Sequence, residues 1–309
     1  MNATIMVLML ATCGQAGHFQ SGEAKTAMMT VRRNIPYVQP RHDRQTLDVY
    51  LPADAKDLPV MIWIHGGGWR AGSKSNVQVK PQAFVDKGFI FVSVEYRLVP
   101  EVTVKEMAGD IAAAIKFVHA RVGNHGGNPE QLFVAGHSAG AHLAALVCTD
   151  ESYLQAQGLS LANIRGCIPV DTAAYDVNRQ IESLGPLRAR TYTTAFGTDE
   201  TIRTDLSPIV HVKKAHDENQ VGADSSSAED KTKQKQMPAF LLLHVASRED
   251  STQQSRDFAK VLTNAGCKAK VVGGENKTHA SINRELGKPD DAVTQAVFKF
   301  LENLTTGKE

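Results

Sequence analysis

Cysteine is scarce in this chain, with four in 309 residues at positions 13, 148, 167 and 267. No two of them have C-x-x-C spacing, so neither a zinc knuckle nor a dithiol redox motif is encoded. They read as small buried apolar residues, and a Cys148–Cys167 disulfide stays open. An excess of one charge is also missing. With 34 Lys and Arg against 33 Asp and Glu, the formal net charge is +1. The basic residues are spread along the chain, so no nucleic-acid partner is expected. After the first dozen residues no apolar run is long enough to span a bilayer. The G-x-G-x-x-G spacing of a dinucleotide loop is absent, and so is any internal repeat. No cofactor and no metal is expected.

What remains is ordinary globular composition, 42% hydrophobic and 22% charged, enough to bury a substantial core. Ala3 to Ala11 is almost wholly apolar and suits the core of a signal peptide, although no Lys or Arg precedes Lys25. Leu10-Ala11-Thr12-Cys13 resembles a lipoprotein processing site, with Thr an awkward fit. Export (periplasmic, lipoprotein or secreted) is therefore preferred to a cytoplasmic location. Residues 1–33 read as a tail, and 34–309 as one domain with a polar insertion at 216–236.

Apolar runs suited to buried strands alternate with helical patterns through that domain. The strands are expected at 60–64, 89–94, 131–135, 165–170, 239–245 and 269–272. The helices fall at 77–87, 104–122, 138–147, 253–264 and 291–304. Thr46 to Leu51 alternates and reads as a half-exposed strand. This rhythm predicts an α/β fold, a mostly parallel central sheet with helices on both faces. Residues 171–210 break it, and read as a cap-like excursion over the sheet edge.

Two motifs carry chemistry. Leu132 to Ala135 runs into Gly136-His137-Ser138-Ala139-Gly140, followed at once by an Ala-rich helical segment. This is the composition of a nucleophile elbow, a serine on a sharp strand-to-helix turn. Some 70 residues earlier, a buried strand ends in His65-Gly66-Gly67-Gly68-Trp69. Consecutive glycines let backbone amides face a ligand, and Gly67, Gly68 and the amide of Ala139 form a candidate oxyanion donor set.

A serine needs a base, and the base needs an orienting carboxylate. His279 follows a late strand and is the only histidine after His244. For the acid, Asp250 is preferred, with Glu249 as its neighbour and rival and Asp171 as a more distant one. All three keep the order Ser, acid, His. His137 should leave the elbow in a different direction from Ser138. It joins Trp69 and Tyr96 as a candidate for contact with substrate, and Tyr175, Tyr192 and Phe196 are weaker ones.

With these residues in place, the chain resembles α/β-hydrolase-fold serine esterases of the hormone-sensitive-lipase-like and bacterial feruloyl or acetyl esterase group. It is similar also to kynurenine formamidases, which share the His-Gly-Gly turn and the Gly-His-Ser-Ala-Gly elbow. The resemblance implies a catalytic triad of Ser138, His279 and Asp250, with Gly67, Gly68 and Ala139 as the oxyanion hole. It also implies hydrolysis of a small-molecule ester through an acyl-enzyme without a cofactor. The loop Ser247-Arg248-Glu249-Asp250-Ser251 departs from the Gly-x-x-Asp-Pro look common in relatives. Without a long apolar lid, short-chain acyl or small aromatic esters are expected. Formamide hydrolysis is the alternative, and a non-catalytic binding protein the less favoured third reading.

Overall fold

A computed structural model describes residues 27–212 and 237–307. The apolar N-terminal segment and the polar insertion expected at 216–236 lie outside the described residues.

Eight strands form one sheet. β1 (Met29–Pro36) pairs antiparallel with β2 (Thr46–Pro52), and β2 pairs antiparallel with β4 (Ile90–Val94). The rest is parallel: β3 (Leu58–Ile64), β5 (Gly127–His137), β6 (Gly166–Val170), β7 (Ala239–Val245) and β8 (Ala269–Gly274). Across the sheet the strands run in the order β1-β2-β4-β3-β5-β6-β7-β8. The mostly parallel α/β sheet expected from the sequence is thus present.

Two apolar layers hold it. On one face Ile62, Val92 and Val134 pack with α2 (Val104–Arg121), α3 (Ala139–Val147) and α8 (Glu249–Asn264). On the other Met61, Phe91 and Phe133 pack with α1 (Lys80–Asp86) and α10 (Ala292–Thr306). Both faces are covered, which is why the parallel strands read as continuous apolar runs. Each fully buried Ile, Val or Phe contributes about 1.5–3 kcal/mol. α2 starts sharply because Thr103 and Glu106 close a capping box.

Two local expectations are corrected. β2 is buried throughout rather than half-exposed: Asp48, on its polar face, accepts from Lys74 Nζ at 2.6 Å, and Tyr50 packs on Phe91. Residues 29–33, read as tail, belong to β1, which covers that edge. The excursion at 171–210 is built of three helices among the described residues, α5 (Val177–Ser183), α6 (Pro186–Phe196) and α7 (Glu200–Asp205), and α4 (Glu151–Gln155) precedes β6. Cys148 and Cys167 are buried free thiols. Burial first, then Cys148 as neighbour, pushes the Cys167 thiol well above its ordinary value.

Strand order decides where a ligand can enter. The chain fills one side of β3 with β4 and then crosses to β5 on the other. In open parallel sheets the crevice at the carboxyl ends of strands on either side of such a switch is where ligands bind. β3, β5, β6, β7 and β8 all deliver their C-terminal loops to that edge.

Candidate active site

β5 ends at His137, and the chain turns directly into α3 with Ser138 between them. Ser138 has φ 57° and ψ −118°, a strained backbone that a non-glycine residue keeps only when its surroundings enforce it. The enforcement is visible in the flanking glycines. A Cβ on Gly136 would overlap the carbonyl of Gly140, and one on Gly140 would overlap the carbonyl of Ile64. The serine is therefore held above the sheet edge at the amino end of a helix, where backbone N–H groups converge.

The α9 helix (His279–Arg284) opens with the histidine expected from sequence, capped by Thr278, whose hydroxyl accepts from the amide of Ser281. The imidazole Nε2 lies 3.0 Å from Ser138 Oγ. Its Nδ1 lies 2.6 Å from Asp171 Oδ2. Asp171 follows β6 directly and is fully buried. Its other oxygen accepts from the amide of Val245 at 3.1 Å and from Ser251 Oγ at 2.7 Å. Burial alone would raise this carboxyl. The His279 hydrogen bond, the nearby Arg248 guanidinium and the Ser251 and Val245 donors outweigh burial, and hold it well below the usual carboxylate range.

The carboxylate facing the imidazole is thus Asp171 and not Asp250, which sequence reasoning preferred. Asp250 lies in the first turn of α8, accepting from Gln180 Nε2 at 3.0 Å and from Arg248 Nη2 at 3.2 Å. Glu249 beside it is exposed. The reason is pairing: β6 lies against β7, and the amide of Asp171 donates to the carbonyl of Leu243 at 2.7 Å. That bond fixes the aspartate at the sheet edge, with the imidazole above it. The loop after β7 offers Arg248 there instead, whose Nη1 lies 2.6 Å from Asp171 Oδ2 and 2.9 Å from His279 Nδ1. Sequence reasoning gave this arginine no role.

The glycine turn after β3 lies directly against the elbow. A Cβ on Gly66 would come within 2.7 Å of the carbonyl of His137 and 3.1 Å of Ser138 Cβ. Gly67 and Gly68 have positive φ, 131° and 59°, which glycine adopts readily. Among the described residues the amides of Gly67, Gly68 and Ala139 donate no hydrogen bond. Those amides remain available to an oxyanion.

The three residues expected to contact substrate are buried and play other parts. Trp69 is 3% exposed and packs on Tyr192 and Phe196 of α6. Its indole N–H donates to His142 Nδ1 at 3.3 Å, while His142 Nε2–H donates to the carbonyl of Leu206 at 2.8 Å. Burial pushes His142 down to about 4, so it is a neutral bridge between the glycine turn and the excursion. Tyr96 is fully buried, stacked on His65, and its hydroxyl donates to the carbonyl of His65 at 2.7 Å. His137 Nε2–H donates to the carbonyl of His279 at 2.8 Å. Burial, then the adjacent His279, pushes it down to about 3. Tyr175 is likewise in the core, stacked on Phe258. These side chains shape the loops rather than line a cleft. The excursion meets the site through α6, where Thr191 Cγ2 would stand 3.2 Å from a Cβ on Gly68.

Among the described residues no group of three His, Cys, Asp or Glu side chains is arranged to hold a metal ion, and no helix is long and apolar enough to cross a membrane.

A strand–turn–helix serine, a glycine turn beside it and a histidine on the loop after β8 of an eight-stranded sheet define the α/β-hydrolase fold. The chain belongs to the BD-FAE family, whose model matches residues 47–262. It is 28% identical over 249 residues to the protein called "Probable isoprenylcysteine alpha-carbonyl methylesterase ICME" of Oryza sativa subsp. japonica. That match covers 77% of this chain and 56% of the relative. Across the plant methylesterases of this group the chain spans only 55–62% of the relatives' length. The "Kynurenine formamidase" of Danio rerio is 24% identical over 278 residues, covering 87% of this chain and 81% of the relative. Among solved structures, esterase B of Lactobacillus rhamnosis superposes with a TM-score of 0.67 at 20% identity, over 91% of this chain and 87% of that one. A truncated carbohydrate esterase from gut microbiota gives 0.69 at 19%, over 91% and 98%.

Proposed function

We propose that this protein is a serine carboxylic-ester hydrolase that works through an acyl-enzyme. The observation that carries the reading is the relay from Ser138 Oγ to His279 Nε2 at 3.0 Å and from His279 Nδ1 to Asp171 Oδ2 at 2.6 Å. In it Ser138 Oγ attacks the acyl carbonyl while His279 Nε2 takes its proton. The carbonyl oxygen, now negative, is met by the amide of Ala139 and by those of Gly67 and Gly68. His279 returns the proton to the departing alcohol oxygen as the C–O bond breaks. A water then gives its proton to His279 and attacks the acyl carbon, and Ser138 leaves with the proton restored. Asp171 keeps the imidazole oriented and its charge offsets the imidazolium formed in each half.

The substrate class we assign is a short-chain acyl or small aromatic ester. Support comes from α6 closing over Gly68 and from the absence of a long apolar lid in the described excursion. The similarity to kynurenine formamidase keeps a formamide as the second substrate to be assayed. A binding protein with this fold would have no use for a strained serine in register with a histidine and a buried aspartate. The test is hydrolysis of p-nitrophenyl acetate, alongside N-formylkynurenine, by the wild type and Ser138→Ala. A fall of three or more orders of magnitude in turnover is expected. Near-normal hydrolysis by Ser138→Ala would overturn the mechanism.

A further inference from the structure

Arg248 Nη1 reaches two partners that are themselves bonded, Asp171 Oδ2 at 2.6 Å and His279 Nδ1 at 2.9 Å. A guanidinium N–H can only donate. If Nδ1 carries the proton it gives to Asp171, it has no lone pair for Arg248, and the two groups face each other as donor against donor. If Nδ1 is bare, it accepts from Arg248, the proton sits on Nε2, and Ser138 loses its base. We propose that Arg248 is a positioning residue for the Ser138–His279–Asp171 relay, a fixed positive charge that opposes a second proton on His279 and divides Asp171 with it. This role rests on the hydrolytic relay proposed for Ser138.

The surroundings favour this role over that of a surface ion pair. Arg248 is held from behind: its Nη2 donates to Asp250 Oδ2 at 3.2 Å, and that same oxygen accepts from Gln180 Nε2 of α5 at 3.0 Å. Gln180 is buried and accepts from Gln254 Nε2 of α8 at 3.1 Å. A chain of polar contacts therefore runs from the excursion to the imidazole, and Arg248 is its last link. Burial would lower Arg248, but Asp171 and Asp250 outweigh it and raise it, so the charge is permanent.

Among the described residues the titratable groups around His279 are few. Asp171 faces it from the end of β6, Arg248 from the loop after β7, and His137 from the end of β5 with ring centroids 4.5 Å apart. Asp250 acts through Arg248, and Lys80 of α1 acts on His137 only through its charge. His137 is kept neutral by burial. The balance at Nδ1 is therefore one carboxylate against one guanidinium.

The test is the acid limb of log(kcat/KM) against pH for the wild type, Arg248→Gln, Arg248→Lys and Asp250→Asn. Removing the charge should move the midpoint up by about one unit or more. Arg248→Lys should return it close to the wild-type value, and Asp250→Asn, which leaves the guanidinium less neutralised, should move it down. NMR titration of the His279 ring in the same proteins reads the same shifts without turnover. It therefore tests the role of Arg248 even if no ester is hydrolysed. Should Arg248→Gln fail to fold, the sign of the Asp250→Asn shift decides. An unmoved His279 midpoint in folded Arg248→Gln, or an upward move in Asp250→Asn, would overturn the proposal.

Discussion

Replacing Asp171 by Asn changes one buried atom and asks which carboxylate serves His279. In the wild type Asp171 accepts four hydrogen bonds, from His279, Arg248, Ser251 and the amide of Val245. An amide of the same shape keeps the donors Ser251 and Val245 satisfied through its oxygen. Its NH2 group takes the place of the oxygen that His279 and Arg248 share, so Arg248 loses its acceptor in this variant too, and the NH2 facing His279 Nδ1 selects the tautomer with the proton on Nε2. That tautomer cannot take the proton of Ser138. The expected loss of kcat is on the order of 10³–10⁴. Asp171→Ala adds a further stability cost, because Ser251 and the amide of Val245 then lose their acceptor as well, at about 2–4 kcal/mol. The assay is steady-state hydrolysis of p-nitrophenyl acetate at neutral pH, with urea unfolding run beside it. Asp250→Asn and Glu249→Gln serve as comparisons and should stay within about tenfold of the wild type at that pH. If Asp250→Asn lost three orders of magnitude while Asp171→Asn kept its turnover, the placement of the acid would be refuted.

Three further outcomes come from the same geometry. Lys80 is buried over Trp63 with no carboxylate beside it among the described residues, donating to Gln78 Oε1 and to the carbonyl of Asn283, and burial pushes it from 10.5 down to about 7. The unfolded chain therefore binds the extra proton between those values, so stability should rise by on the order of 4 kcal/mol from pH 7 to 10.5. Lys80→Met should remove that slope, as read by denaturant unfolding at several pH values; an unchanged slope would contradict the burial argument. His142 is a neutral bridge depressed to about 4, so stability should fall as pH drops from 6.5 toward 4, by about 3 kcal/mol. His142→Phe should abolish that share of the acid sensitivity and loosen Trp69, and equal acid sensitivity in both proteins would count against it. Gly140→Ala should cost about 2–4 kcal/mol and most of the activity, because its methyl meets the carbonyls of Ile64 and His65; a thermal melt matching the wild type would show that the elbow is looser than described.

The parts of this site that were legible in the sequence are those whose cause is local. A buried strand, two small residues and a serine must make a tight turn, so the elbow could be read from residues 132–142 alone. His279 was found because few histidines remain after β7. The acid was not local. Asp171, Glu249 and Asp250 all satisfy the order Ser, acid, His, and only the pairing of β6 with β7 decides among them. Arg248 was invisible for the same reason, since an arginine in a loop announces nothing until its neighbours are known. Trp69, Tyr96 and His137, offered as substrate contacts, are all buried: a place beside a motif or after a strand does not say which way a side chain turns, and each of these turns inward to hold a loop. β1 and the excursion helices α5 to α7 escaped because their apolar faces are short and become periodic only once their partners are in place.

Reaction of the purified protein with a fluorophosphonate probe, followed by intact-mass and peptide analysis, reads the nucleophile itself. One adduct per chain is expected, on Ser138, absent from Ser138→Ala and formed far more slowly by His279→Ala. No adduct on the folded wild type, or an adduct on another residue that survives Ser138→Ala, would contradict the assignment of Ser138.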